Sequence, residues 1–241
     1  MTPTHKSSLG KLEYLRLKVS MNQNPDLPHI FVVPKDIDCS ELVTAFPNSK
    51  IIGLDPSNFK SLAAYNRLLL SSEFYKLFIN FESILILQAD AFLQKNVLPI
   101  LDLDSDYIGA PWAKPFRVST RGNEFHPDNN RHFLRFRERI QVGNGGLSWR
   151  RVQAMMEVID YAQSQPYADN VFSGIHNEDL VISFIAKKIN LKVPDTKIAS
   201  MIFTENYWRF KHEMNSIYGF HALEKFKPEL ELALIKCIDS N

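Results

Sequence analysis

The apolar run SILILQAD, residues 83–90, stops on a carboxylate, and Asp90 is the first residue whose position could serve chemistry. A carboxylate at the mouth of a buried strand can hold a cation, and it can equally cap a helix begun by the AFLQKN that follows. Asp102, Asp104 and Asp106 alternate in DLDSDYIGAPW. The later glycine and glutamate of a calcium loop are missing there, so the three read as a solvated turn. Trp112 beside Pro111 offers the wide aromatic face that stacks on a sugar ring or a base, or else it is an ordinary core tryptophan. QVGNGGLSWRR crowds Gly143, Gly145 and Gly146 around Asn144. Such a loop lets the backbone turn or lets a ligand approach closely, but it matches neither the dinucleotide fingerprint nor a P-loop.

Two later segments carry titratable groups. In IHNEDLVISFIAKKI, Asn177 can cap a helix whose first turn holds Glu178 and Asp179, which favours them against the helix dipole; alternatively one of the two is a general base. In YGFHAL, His221 is either structural or a ligand. The segment RHFLRFRERI brings Arg131, Arg135, Arg137 and Arg139 among Phe133 and Phe136; it could meet phosphates, although a charge run is usually a solvated face.

The elements that must position these groups follow from periodicity. Leu12, Leu15 and Val19 mark a helix, HIFVVP a strand closed by Pro34, and SELVTAF a short helix capped by Ser40. KIIGLD is a second strand, SLAAYNRLLLSSEFYKLF a long helix bearing Leu62, Tyr65, Leu69 and Phe78, and SILILQAD the third strand. Strands that are apolar throughout are covered on both faces, so the opening third reads as a doubly wound α/β unit with ligands beyond the strand ends, where Asp90 stands. The stretch after Trp112 has little periodicity for about thirty residues and reads as loop. Val152, Met155, Met156 and Ile159 then form a helical core stripe.

Composition sets the outer bounds. The 241 residues are 45% hydrophobic, enough for a full core, and read as one domain over 1–241. Lys plus Arg number 28 against 27 acidic residues, so no global field draws the chain to nucleic acid or anionic lipid. Cys39 and Cys237 have no metal-binding spacing and read as small buried hydrophobes in a reducing compartment. The polar start MTPTHKSSLG is not a secretory leader, residues 1–9 are expected to be flexible, and no apolar stretch reaches bilayer length. The expectation is a soluble, cytoplasmic protein.

Taken together and in order, YNRLLLSSEFYKLFINFESILILQADAF, DYIGAPW, VGNGGLSWR, NEDL and YGFHA resemble the motif series of a family of glycosyltransferase-like domains, known mainly from bacteria and of unassigned activity. The resemblance spans about residues 10–226. It implies a GT-A-like α/β sandwich with a mostly parallel central sheet flanked by helices, and an enzyme that transfers sugar from a nucleotide-sugar donor to a saccharide acceptor, in cell-surface polysaccharide or lipopolysaccharide synthesis. On that resemblance QAD stands where GT-A enzymes have DxD, with Gln88 in place of the first Asp and Asp90 as a ligand for Mn²⁺ or Mg²⁺. His221 would complete the metal site. Gln88, Asn144, Gly145 and Gly146 would border the donor, Trp112 the acceptor, and Asp179, with Glu178 second, would be the base. The resemblance also implies an opening strand before the first helix; none is evident, so the nucleotide site is expected to be either truncated or completed by a partner domain or subunit. Two other readings stay open: a non-catalytic sugar or nucleotide-binding module of the same fold, and a sugar nucleotidyltransferase, which should carry a glycine-rich basic N-terminal loop that is absent here.

Overall fold

The computed structural model describes residues 1–128, 138–205, 212–225 and 227–239. The expected arginine run at 131, 135 and 137, with Phe133 and Phe136, lies outside them. The strands are β1 (Thr2–Pro3), β2 (Ile30–Pro34), β3 (Lys50–Leu54), β4 (Ser83–Leu87), β5 (Ala91–Leu93), β6 (Tyr107–Gly109), β7 (Pro111–Arg121), β8 (Glu124–Asp128), β9 (Glu138–Val142), β10 (Leu147–Arg151), β11 (Phe203–Thr204) and β12 (Gly219–His221). The helices are α1 (Lys11–Asn22), α2 (Ser40–Ala45), α3 (Leu62–Leu69), α4 (Ser72–Lys76), α5 (Val152–Gln163), α6 (Ala168–Phe172), α7 (Glu178–Lys188), α8 (Thr196–Ile202) and α9 (Pro228–Asp239).

Strands β1, β2 and β3 are parallel, whereas β10 runs antiparallel between β4 and β6. Met1 joins the two groups. Its amine donates to the Leu85 carbonyl at 2.8 Å and its carbonyl accepts from the Leu87 N–H at 2.9 Å, the slanted pattern of a parallel pair. The central order is therefore β3-β2-β1-β4-β10-β6. A short strand, Thr2–Pro3, precedes α1 where none is evident in the sequence, and Met1 to Thr4 are not a loose end. Backbone groups on both neighbours would otherwise go unpaired, so even a polar tetrapeptide is drawn in. The Thr2 hydroxyl adds a 2.9 Å bond to His29 Nε2, and burial pushes the Met1 amine down to about 5.

Alternation along the strands covers both faces. Ile30, Val32, Ile84 and Ile86 pack with Leu68, Phe74, Met155 and Phe184 of α3, α4, α5 and α7. Phe31, Val33 and Leu87 pack with Leu17, Leu42 and Ile202 of α1, α2 and α8. The stripe of α5 holds, with Val152, Met155 and Ile159 buried and Met156 half-buried.

Several local expectations are corrected. The long helix from residue 62 breaks at Leu70, because the Ser71 hydroxyl accepts from the Phe74 N–H and starts α4 afresh. Leu62 lies 67% exposed rather than in the stripe. Ser40 is not the cap of α2; it bonds back to Asp38, and Cys39 holds the cap position. AFLQKN opens with strand β5 instead of a helix. The supposed loop after Trp112 forms a three-stranded antiparallel sheet, β8-β7-β9. Asp104 and Asp106 are tied to Lys192 and Arg151, and Asp106 is buried rather than solvated. Cys39 is half-buried and Cys237 exposed, so neither is the small core residue expected. Among the described residues no helix is long and apolar enough to cross a membrane.

Candidate active site

The loop 143–146 is the hub on which the candidate residues converge. Asn144 takes a left-handed φ of 64°, which asparagine tolerates better than most residues, and its Oδ1 accepts from the Gly146 N–H at 3.1 Å. On one side, Gly143 faces Trp112 so closely that a β-carbon there would lie 1.9 Å from the indole ring. The ring also packs edge-on against Phe116, at 4.9 Å between centroids. Trp112 thus props the loop with part of its surface still open.

On the other side of the loop stand Asp90 and His221. The turn Gln88-Ala89-Asp90 leaves β4, and the Gln88 N–H donates to the Gly146 carbonyl at 2.8 Å. Strand β5 then pairs antiparallel with β12, with Ala91 opposite His221, which carries the imidazole to the carboxylate. His221 Nε2 lies 3.3 Å from Asp90 Oδ1. Burial would raise the Asp90 carboxyl, but His221 and then Lys225, at 3.5 Å from Oδ2, outweigh it and hold it down at about 2. His221 is only 8% exposed, and neither ring nitrogen makes a well-formed hydrogen bond. The close pass of Gly146 makes room for this: a β-carbon there would sit 2.2 Å from His221 Nε2 and 2.6 Å from Gln88 Oε1.

Gly145 turns the other way, toward α7. Its N–H donates to Asp179 Oδ2 at 2.9 Å, while Asp179 Oδ1 accepts from the Leu180 N–H at 2.7 Å. Asn177 precedes the helix but makes no side-chain cap. Glu178 is spoken for: its carboxylate binds the fully buried Arg150 guanidinium at 2.9 Å, and Arg150 also donates to Tyr75 Oη and Ser148 Oγ. Burial, and then the Glu178 charge, push the Asp179 carboxyl up to about 7 despite the two backbone donors. The helix-dipole account of NED is therefore incomplete, since one carboxylate neutralises a buried arginine and the other grips the glycine loop.

Sequence reasoning passed over Arg150 and Tyr65. Strand alternation beside a glycine loop was the signal for Arg150. Tyr65, whose hydroxyl accepts a long 3.4 Å bond from Gln88 Nε2, carried no signal beyond its helical stripe. Glu205 Oε2 accepts from Asn144 Nδ2 at 3.2 Å, and its Oε1 faces His221 Nδ1 at 3.8 Å.

A sheet of order β3-β2-β1-β4-β10-β6 flanked by helices on both faces defines a fold class. The fold is that of GT-A glycosyltransferases. The galactosyltransferase LgtC, in complex with donor and acceptor sugar analogues, superimposes with a TM-score of 0.59 at 13% identity, covering 98% of this chain and 94% of that one. Mouse xyloside xylosyltransferase 1 gives 0.55 at 10% identity over 91% and 95% of the two chains. The bifunctional glycosyltransferase WbbM gives 0.53 at 10% identity, and 98% of this chain matches 48% of that longer one. By sequence, the chain belongs to the DUF5672 family, described as proteins of unknown function, whose model matches residues 48–221. No curated protein matches it.

Proposed function

We propose that the protein is a glycosyltransferase that moves a sugar from a nucleotide-sugar donor to a saccharide acceptor, assisted by a divalent cation. The observation that carries this reading is the Asp90–His221 pair, 3.3 Å apart at the strand ends, in which a buried imidazole has no well-formed hydrogen bond of its own. A buried Nε2 without a well-formed hydrogen bond, beside the Asp90 carboxylate, fits a cation better than it fits a packing role. Asp90 and His221 would hold Mn²⁺ or Mg²⁺, which when bound offsets the charge developing on a diphosphate leaving group.

The remaining steps belong to the chain itself. Gln88, Asn144 and the Gly145-Gly146 backbone line the donor side, where the missing side chains let Glu178, His221 and Gln88 pack closely against the loop. Trp112 presents its ring to the acceptor. Asp179, oriented by the Gly145 and Leu180 N–H groups, accepts the proton of the attacking hydroxyl. A carboxyl raised to about 7 is well matched to that task near neutral pH. Glu178 supports it indirectly, because its pairing with Arg150 fixes the start of α7.

A second reading, a sugar or nucleotide-binding module without turnover, is favoured by one observation: among the described residues no cluster of three His, Cys, Asp or Glu side chains could hold a metal. Thermal-shift screening of nucleotide sugars with and without Mn²⁺, followed by assay of donor hydrolysis and transfer, separates the two. Stabilisation by a few kcal/mol that needs Mn²⁺, with turnover, supports the enzyme; a ligand at about a hundredfold excess over Kd gives about 2.7 kcal/mol. Binding without turnover supports the module, and no Mn²⁺-dependent binding defeats the metal-assisted reading.

A further inference from the structure

Glu205 lies just beyond β11, whose two residues pair in parallel with Gly219 and Phe220 of β12. That pairing brings its carboxylate to the face of His221 opposite Asp90. The imidazole stands between two acids, with Asp90 Oδ1 3.3 Å from Nε2 and Glu205 Oε1 3.8 Å from Nδ1. The two ring nitrogens point in opposite directions and cannot share one ion, so Glu205 is on the wrong side to be a ligand with Asp90. It is on the right side to take the proton of the other nitrogen.

We infer that Glu205 is a positioning residue: when a cation is held beside Asp90, Glu205 closes from 3.8 Å onto His221 Nδ1 and accepts its proton, which would leave the Nε2 lone pair free for the cation. A ligating histidine normally hands its second N–H to such a partner, which fixes both tautomer and ring orientation. The second carboxylate oxygen of Glu205 binds Asn144 Nδ2 at 3.2 Å, and Asn144 in turn holds the Gly146 N–H. The same side chain therefore ties the imidazole to the loop that borders the donor. This inference rests on the metal-assisted reading above and assigns a role that a bare two-ligand site lacks.

The test is Mn²⁺ binding to the full chain, read from the free-ion electron paramagnetic resonance signal, for the wild type, Glu205→Gln and Glu205→Ala. Glu205→Ala should weaken Mn²⁺ binding about 10- to 100-fold, the usual cost of losing such a partner. Glu205→Gln keeps an acceptor oxygen and should lose less, and it serves if the alanine variant fails to fold. In Mg²⁺-loaded protein the ¹⁵N signal of His221 Nδ1 should be that of a protonated, hydrogen-bonded nitrogen, and Glu205→Ala should shift it. Unchanged Mn²⁺ affinity or an unshifted Nδ1 signal in Glu205→Ala, with the wild type binding Mn²⁺, overturns the role of Glu205. A wild type that binds no Mn²⁺ at all overturns the metal reading itself.

Discussion

Asp179 is the residue whose environment does most to decide its behaviour. Its two oxygens accept from Gly145 and Leu180, yet burial and the Glu178 charge keep the carboxyl at about 7. As a base it must be ionised, so transfer should rise with pH through about 7, and Asp179→Asn should lower kcat by roughly a hundredfold or more, erase that limb and leave donor affinity nearly constant. Linkage gives a second, independent sign. The folded state holds this proton where the unfolded chain has released it, so stability falls as pH rises from the ordinary aspartate range to about 7. Asp179→Asn, permanently neutral, should melt higher than wild type above that pH and converge with it in acid. A variant that shows the stability change with intact turnover would make Asp179 a loop clamp and not a base. Asp90→Ala, at a strand end and 28% exposed, should fold normally and lose Mn²⁺-dependent nucleotide binding; unchanged binding in a calorimetric titration would reduce Asp90 to a turn residue.

At the scale of elements, the glycine loop and the β5–β12 pair decide the geometry. Gly146→Ala would press a methyl group against His221 Nε2 and Gln88 Oε1. Overpacking of this kind typically costs about 1–3 kcal/mol, and here it should also weaken Mn²⁺ binding, whereas Gly122→Ala, which has open space around it but strains alanine at a φ of 56°, should leave Mn²⁺ binding alone; equal Mn²⁺ affinity in the two variants would separate the loop from the Asp90–His221 pair. Legibility in the sequence divides along the same line. Strand β2 was plain because every residue is apolar and buried, and β4 because Ile84, Ile86 and Leu87 are; β3 was legible from Ile51, Ile52 and Leu54 although its positions are half-buried or exposed. The candidate residues were plain because Asp90, the glycine cluster, the NED acids and His221 stand out by type. Strand β5 was not, since AFL before Gln94 looks equally like the start of a helix, and only its partner 128 residues on, Gly219–His221, makes it a strand. Strand β7 was hidden for another reason: most of its positions are half-buried or exposed, so it has no apolar face to announce a period. Glu205 was visible only as one acid among several, because its meaning comes from facing Nδ1.

For the molecule as a whole, α1 and α9 close around the back of the Asp90–His221 pair. Arg16, 2% exposed, donates through Nε to Glu231 Oε1 at 2.8 Å, contacts Glu224, and reaches the Ala89 carbonyl in the QAD turn at 3.2 Å. The first helix, the last helix and the turn bearing Asp90 thus share one cation. Arg16→Met would leave the Glu231 carboxylate buried without its partner, and such losses run to about 3–5 kcal/mol. The expected result is a lower denaturant midpoint; Arg16→Met combined with Glu231→Leu, which removes both charges, should recover much of it, and a double variant no better than the single would contradict this account.

The strand pairing that sets Asp90 beside His221 also has a meaning in time. Loop-closure entropy must be spent before so distant a contact gives anything back, so the imidazole is expected to reach the carboxylate late, after the closer β4–β10 pairing and with the docking of β12 on β5. In refolding, helical signal should return first and the capacity to retain Mn²⁺ last, so cation retention serves as a gauge of chains that have finished folding.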